Sequence, residues 1–165
     1  MKSFFRLIIL FVICFSSTGI CLANTNEKDY IELGNSFLNQ IENNQTPELN
    51  SMYANKALYY FYVASKNIPP STDALIGLGR IYMIMDKKED AKNALFRAYS
   101  VDQYNADANF YFGEFCYKYD DFETAMKYYE NALNLGYKDR TKNLEKLISC
   151  YSKLGDTDKI ENLEK

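Results

Sequence analysis

Apolar residues recur along this chain at intervals of three, four and seven, the spacing that places them on one face of an α-helix. Leu38, Ile41, Leu49, Met52 and Tyr53 define two such faces, which predict long helices over residues 27–43 and 48–67, joined by the turn Asn43-Asn44-Gln45-Thr46-Pro47. Ala57 and Ala64, Ala91 and Ala98, and Ala125 and Ala132 each stand seven apart, so each pair shares one side of a helix. Tyr82, Leu95, Phe122 and Tyr129 supply larger side chains to fill the gaps between such helices. A further apolar face, Leu144, Leu147, Ile148 and Tyr151, is followed by a turn at Gly155 and a short last helix. Pro69-Pro70-Ser71 stops one helix and starts the next, and Asn134-Leu135-Gly136 offers a C-terminal cap. Asp86, Asp120 and Asp156 fall between paired helices, where an acid is expected to cap the second helix against its dipole.

The stronger signal is self-similarity. Ala57, Ala91 and Ala125 follow one another at a single fixed interval, Ala64, Ala98 and Ala132 keep the same interval, and Gly79 and Gly113 repeat it. Leu78-Gly79-Arg80-Ile81-Tyr82 corresponds to Phe112-Gly113-Glu114-Phe115-Cys116. A glycine inside a helix costs about 1 kcal/mol relative to alanine, so its recurrence implies close approach of a neighbouring element. This register resembles the tetratricopeptide repeat, a helix-turn-helix unit of about 34 residues. The resemblance implies an all-α, right-handed α-solenoid of antiparallel helix pairs with about four units, at 27–70, 72–105, 106–139 and a truncated 140–165. In the first unit Gly34 stands nearly twice as far before Ala57 as Gly79 and Gly113 stand before their alanines, so that unit is read as an extended hairpin. The polar Lys159, Glu161, Glu164 and Lys165 suit a terminal unit that faces water.

Residues 1–23 follow another plan. Lys2 and Arg6 open it, Leu7 to Phe15 form an apolar run, Ser16 to Gly19 interrupt it, and Cys21-Leu22-Ala23 precedes Asn24. This is the pattern of a secretory signal peptide, with cleavage expected after Ala23. The run falls short of the ~20 residues that span a bilayer, so residues 24–165 are expected to keep no stable transmembrane span. A lipid-modified Cys21 is a further alternative. The expected location is the periplasm or cell envelope, with secretion as the alternative.

Composition narrows the chemistry. The 165 residues contain no His, so Ser-His and Cys-His dyads and imidazole metal ligands are absent. The net charge of −3 argues against nucleic acid as a partner, since phosphate binding needs a basic stripe. The acidic turns do not continue into a calcium loop with its central glycine and distal glutamate. No catalytic residue, cofactor or metal site is assigned. With Cys14 and Cys21 in the leader, Cys116 and Cys150 remain; they fall at nearly equivalent places in neighbouring helices some 8–10 Å apart, and are expected to be unbridged and buried.

In proteins of this resemblance, the first helices of successive units line a concave groove that takes a peptide or helix from a partner. By register, the groove-facing candidates are Ile76, Arg80, Met83 and Ile84 in the second unit and Phe110, Glu114, Tyr117 and Lys118 in the third. Ile31, Asn35 and Leu38 extend the set in the first unit, and Glu145, Ser149 and Ser152 in the fourth. Tyr111, Phe112 and Phe115 are assigned to the core. Arg80, Met83, Phe110 and Tyr117 combine the residue types enriched at interface centres. Some relatives clamp a terminal carboxylate with Lys and Asn; here Asn35 fills one such place, but Ile31 and Gly77 replace its companions, so no clamp is expected.

Three readings follow. The first is a non-catalytic protein–protein scaffold in the cell envelope, by analogy with envelope and secretion-assembly factors that carry a leader and a few repeats. The second is a glycan or small-ligand binder, or an enzyme, that uses the tyrosine-rich groove around Glu114. The third makes the protein its own partner, with Tyr59, Tyr60 and Tyr62 covering a homodimer face.

Overall fold

The computed structural model describes residues 26–43, 46–156 and 158–160. Among these residues the helices follow in the order α1 (Glu27–Asn43), α2 (Pro47–Ala64), α3 (Thr72–Ile84), α4 (Lys88–Val101), α5 (Ala106–Lys118), α6 (Phe122–Asn134) and α7 (Arg140–Leu154). Each packs against the next, while α1 also touches α3, and α3 touches α5. The array is therefore a row of helix pairs whose first members line up beside one another. The α1–α2 pair is longer than the later pairs, and α2 ends at Ala64, short of the end that the sequence pattern gives it and well ahead of Pro69 and Pro70. The leader pattern lies outside the described residues.

Local chemistry fixes the helix starts. Pro47 occupies the first turn of α2, where its missing N–H costs nothing. The Ala74 N–H donates to Ser71 Oγ, the Ala108 N–H to Asn105 Oδ1, the Thr124 N–H to Asp121 Oδ1 and the Lys142 N–H to Asp139 Oδ1, so α3, α5, α6 and α7 each have a side-chain cap. Asp86 and Asp120 are not among the caps. Both adopt the left-handed conformation, with φ of 56° and 64°, at the ends of α3 and α5. There the Lys87 N–H donates to the Tyr82 carbonyl and the Asp121 N–H to the Cys116 carbonyl, closing the six-residue loop that ends a helix. The tight turn requires one left-handed residue, and aspartate tolerates that region better than most side chains do. Gly136 and Gly155 fill the same role after α6 and α7. Asp156 follows that last turn and pairs with Lys159 at 3.3 Å.

The repeated residues build the core. Ala57, Ala91, Ala125, Ala98 and Ala132 are fully buried, and Ala64 is nearly so. A Cβ added at Gly34 would come within 2.7 Å of the Phe61 ring, and one at Gly113 within 2.9 Å of the Tyr129 ring; at Gly79 it would clash with Leu95. Phe61, Leu95 and Tyr129 are themselves spaced by the repeat interval, so Gly34, Gly79 and Gly113 are holes that receive the bulky residue of the partner helix, and Phe61 also fills the space at Gly77 of the next pair. Tyr82 and Phe122 are only half-buried. Cys116 and Cys150 are free and buried. Burial pushes their thiols up from the ordinary 9.0 to about 12 and about 11, respectively.

This architecture makes two measurable statements about stability. Asp120 is exposed and left-handed, so Asp120→Gly should raise the unfolding free energy by up to about 1 kcal/mol in urea titrations, and Asp120→Val should lower it by at least that much. The raised thiol pKa values mean that above pH 9 the unfolded chain loses protons that the folded chain keeps. Their contribution to stability is fully present below that pH and is lost as pH climbs toward 12. Unfolding midpoints should fall over this range, and a Cys116→Ala, Cys150→Ala variant should fall less steeply.

Candidate functional site

The first helices α1, α3, α5 and α7 present one side to a shared concavity of about 570 Å³. Glu42 enters it from α1, Arg80, Met83 and Ile84 from α3, Tyr111, Glu114, Tyr117 and Lys118 from α5, and Lys142 and Lys146 from α7. A smaller recess of about 190 Å³ continues toward the first unit, with Ile31, Asn35, Asp73, Asp107 and Lys138 on its walls and Arg80 and Tyr111 common to both. Along this face the first helices stand side by side, α1 against α3 and α3 against α5.

Six of the eight groove residues expected from the sequence stand on this surface: Arg80, Met83, Ile84, Glu114, Tyr117 and Lys118. Phe110 requires correction. Phe110 is fully buried, stacked on Tyr137 at 4.0 Å and against Tyr129 at 5.5 Å, because the connecting segment between α6 and α7 folds over that side of α5. Ile76 packs into the core, 5% exposed, and contributes to the wall of the smaller recess rather than to the main concavity. Leu38 is also fully buried. Glu145 and Ser152 are exposed outside the concavity, and Ser149 enters only through its bond to Tyr117. Conversely, Tyr111, assigned to the core by sequence, is half-buried and lines both recesses, while Phe112 and Phe115 are core residues as expected. Glu42, Lys142 and Lys146 have no sequence signal beyond their helical faces; long side chains reach the groove from positions outside the register.

The polar groups of the groove are tied into cross-unit links. Arg80 Nη2 donates to Glu42 Oε1 at 3.0 Å, and its guanidinium lies over the Tyr111 ring at 4.8 Å, joining α1, α3 and α5. Lys118 pairs with Asp86 at 3.2 Å and also donates to the Met83 carbonyl. Glu114 Oε1 accepts from the Tyr129 hydroxyl at 2.5 Å and pairs with Lys146 at 3.0 Å. The Tyr129 phenol is driven far above its usual range, first by burial and then by the Glu114 charge beside it. Tyr117 and Ser149 share a hydroxyl–hydroxyl bond of 2.6 Å, and Lys146 stands 5.0 Å from the Tyr117 ring. Glu114 therefore joins the buried α6 tyrosine to α7. Among the described residues no cluster of Cys, Asp and Glu is placed to hold a metal ion, and no helix is long and apolar enough to cross a membrane.

On the outer side of the first pair, Tyr60 stacks on Phe37 with ring centres 5.7 Å apart, while Tyr59 and Tyr62 are 60% and 49% exposed. The three tyrosines thus do not form a single exposed face.

No protein-family model matches the chain, and no curated protein sequence does either. Solved structures do. The crystal structure of MamA matches at 19% identity with a TM-score of 0.64, over 88% of this chain and 78% of that one. A thermophilic TPR protein of Thermus thermophilus matches at 17% identity and a TM-score of 0.67, over 80% and 69%. Pseudomonas aeruginosa pilF matches at 21% identity and a TM-score of 0.64, over 82% of this chain and 57% of its own length. At these identities the likeness is one of backbone, and it agrees with the packing of the helix pairs. The chain has the tetratricopeptide-repeat fold, a right-handed all-α solenoid of antiparallel helix pairs.

Proposed function

We propose that this protein is a non-catalytic scaffold that binds a peptide or helix of a partner protein in its concave groove. The observation that carries this reading is the composition of the 570 Å³ concavity: Arg80, Met83, Tyr111 and Tyr117, contributed by two successive units, converge on one open surface. Arginine, methionine and tyrosine are the types that concentrate binding energy when a partner excludes water from them. Glu114 is engaged by Tyr129 and Lys146 rather than held free as an acid or base.

The leader pattern in residues 1–23 supports a place in the cell envelope, where a scaffold of this size would hold components of a larger assembly. MamA and pilF share the backbone arrangement, and that likeness supports the scaffold reading by analogy of fold.

Crosslinked co-purification from envelope fractions tests the proposal. The wild type should recover a protein that is lost with Arg80→Glu, Tyr117→Ala while helical circular dichroism is unchanged, and the recovered chain should begin at Asn24. Equal recovery by both forms would place binding outside the groove, and a chain found only in the cytoplasm would remove the envelope assignment.

A further inference from the structure

The groove has a charge opposite to that of the protein that carries it. The chain's net charge is −3, yet the concavity is lined by Arg80, Lys118, Lys142 and Lys146 against only Glu42 and Glu114. Both of those acids are already engaged: Glu42 by Arg80 at 3.0 Å, and Glu114 by Lys146 at 3.0 Å and by the Tyr129 hydroxyl. Lys118 spends its charge on Asp86, a residue of the α3–α4 turn, at 3.2 Å.

Lys142 differs from its neighbours. It is exposed on the groove wall, ion-pairs with no carboxylate among the described residues, and its ammonium stands 5.6 Å from the Phe110 ring. Arg140 stands two residues before it; the first turn of α7 holds no acid, and the Asp139 carboxylate at the cap accepts the Lys142 backbone N–H rather than its ammonium. Lys138 adds a further cation beside the smaller recess, held only loosely by Asp107 at 4.0 Å. Between the cations, Met83, Tyr111 and Tyr117 provide an apolar strip.

Resting on the groove reading above, we propose that the occupant is an acidic segment of a partner polypeptide, with a carboxylate over Lys142 and an apolar or aromatic side chain against Met83 and Tyr117. Charge complementarity sets the class of partner, and the apolar strip separates a peptide from a purely anionic polymer.

Fluorescence anisotropy on the full chain tests this, with three synthetic peptides of equal length in which leucine alternates with glutamate, glutamine or lysine. The glutamate peptide should bind at least about tenfold more tightly than the glutamine one at low ionic strength, and this advantage should shrink as salt is raised. Lys142→Glu, which breaks no ion pair, should remove about tenfold, while Lys127→Glu on α6, outside the groove lining, should leave binding unchanged. Equal binding of the glutamine or lysine peptide, indifference to Lys142→Glu, or absence of binding by all three peptides would overturn the proposal. If uncharged or basic peptides bind and Tyr117→Ala abolishes that binding, the groove reading survives and only the acidic class falls. If the glutamate peptide binds indifferently to both Lys142→Glu and Tyr117→Ala, the groove reading falls as well. Binding of dextran sulfate without the glutamate peptide would assign the cations to an anionic polymer and likewise overturn it.

Discussion

The constraint on which this structure depends is the fit of bulky side chains from the second helices into the space left by glycines of the first. Phe61, Leu95 and Tyr129 sit over Gly34, Gly79 and Gly113, at a distance that a single added Cβ would violate. Glycine in a helix interior costs about 1 kcal/mol, and the close packing of partner helices offsets that cost through buried apolar area. Because the bulky residues recur at the repeat interval, the α3–α4 and α5–α6 pairs are near copies, the longer α1–α2 pair ends on the same fit, and pairs stack in a row rather than collapsing around one centre. The concave face is built from the first helices, which touch one another from α1 to α3 to α5 while the glycine contacts hold each against its partner.

The groove is not independent of the core that supports it. Tyr129 is fully buried, so its hydroxyl needs a partner, and it finds Glu114 at 2.5 Å. That bond fixes the carboxylate at the groove floor, and the carboxylate in turn holds Lys146 of the next unit at 3.0 Å. A residue of the repeated core thus positions charges on the binding surface. Arg80 serves a similar purpose between the first and second units, since its bond to Glu42 and its contact with Tyr111 hold three first helices in one orientation. Leaving such polar groups half-satisfied would be costly, which is why the groove wall presents so few free acids.

Much of the fold was legible in the sequence because the repeat writes each structural demand more than once. Ala57, Ala91 and Ala125 announce a buried column, and Gly79 and Gly113 a close approach, through spacing alone. Arg80, Met83, Ile84, Glu114, Tyr117 and Lys118 follow from the same register, since residues at equivalent helix positions face the same way. The register fails where the chain between pairs matters. Phe110 is covered by Tyr137, a residue outside any helix, and nothing in helical periodicity reports that contact. Tyr111, one residue along, faces the groove instead. Asp86 and Asp120 illustrate a second limit: an acid near a helix start reads as a cap, yet backbone geometry at a tight turn decided its role. Lys142 and Lys146 illustrate a third, because flexible side chains reach further than the faces they are assigned to.

Site-specific photocrosslinking tests the central claim, that the concave face is the working surface, most directly. A photoreactive residue placed at Met83 lies in the groove, and one at Phe96, which is 53% exposed on α4, lies outside its lining. In native extracts a discrete adduct is expected from position 83 and none from position 96. The same adduct from 96 and none from 83 would contradict it and move the binding surface to the second helices.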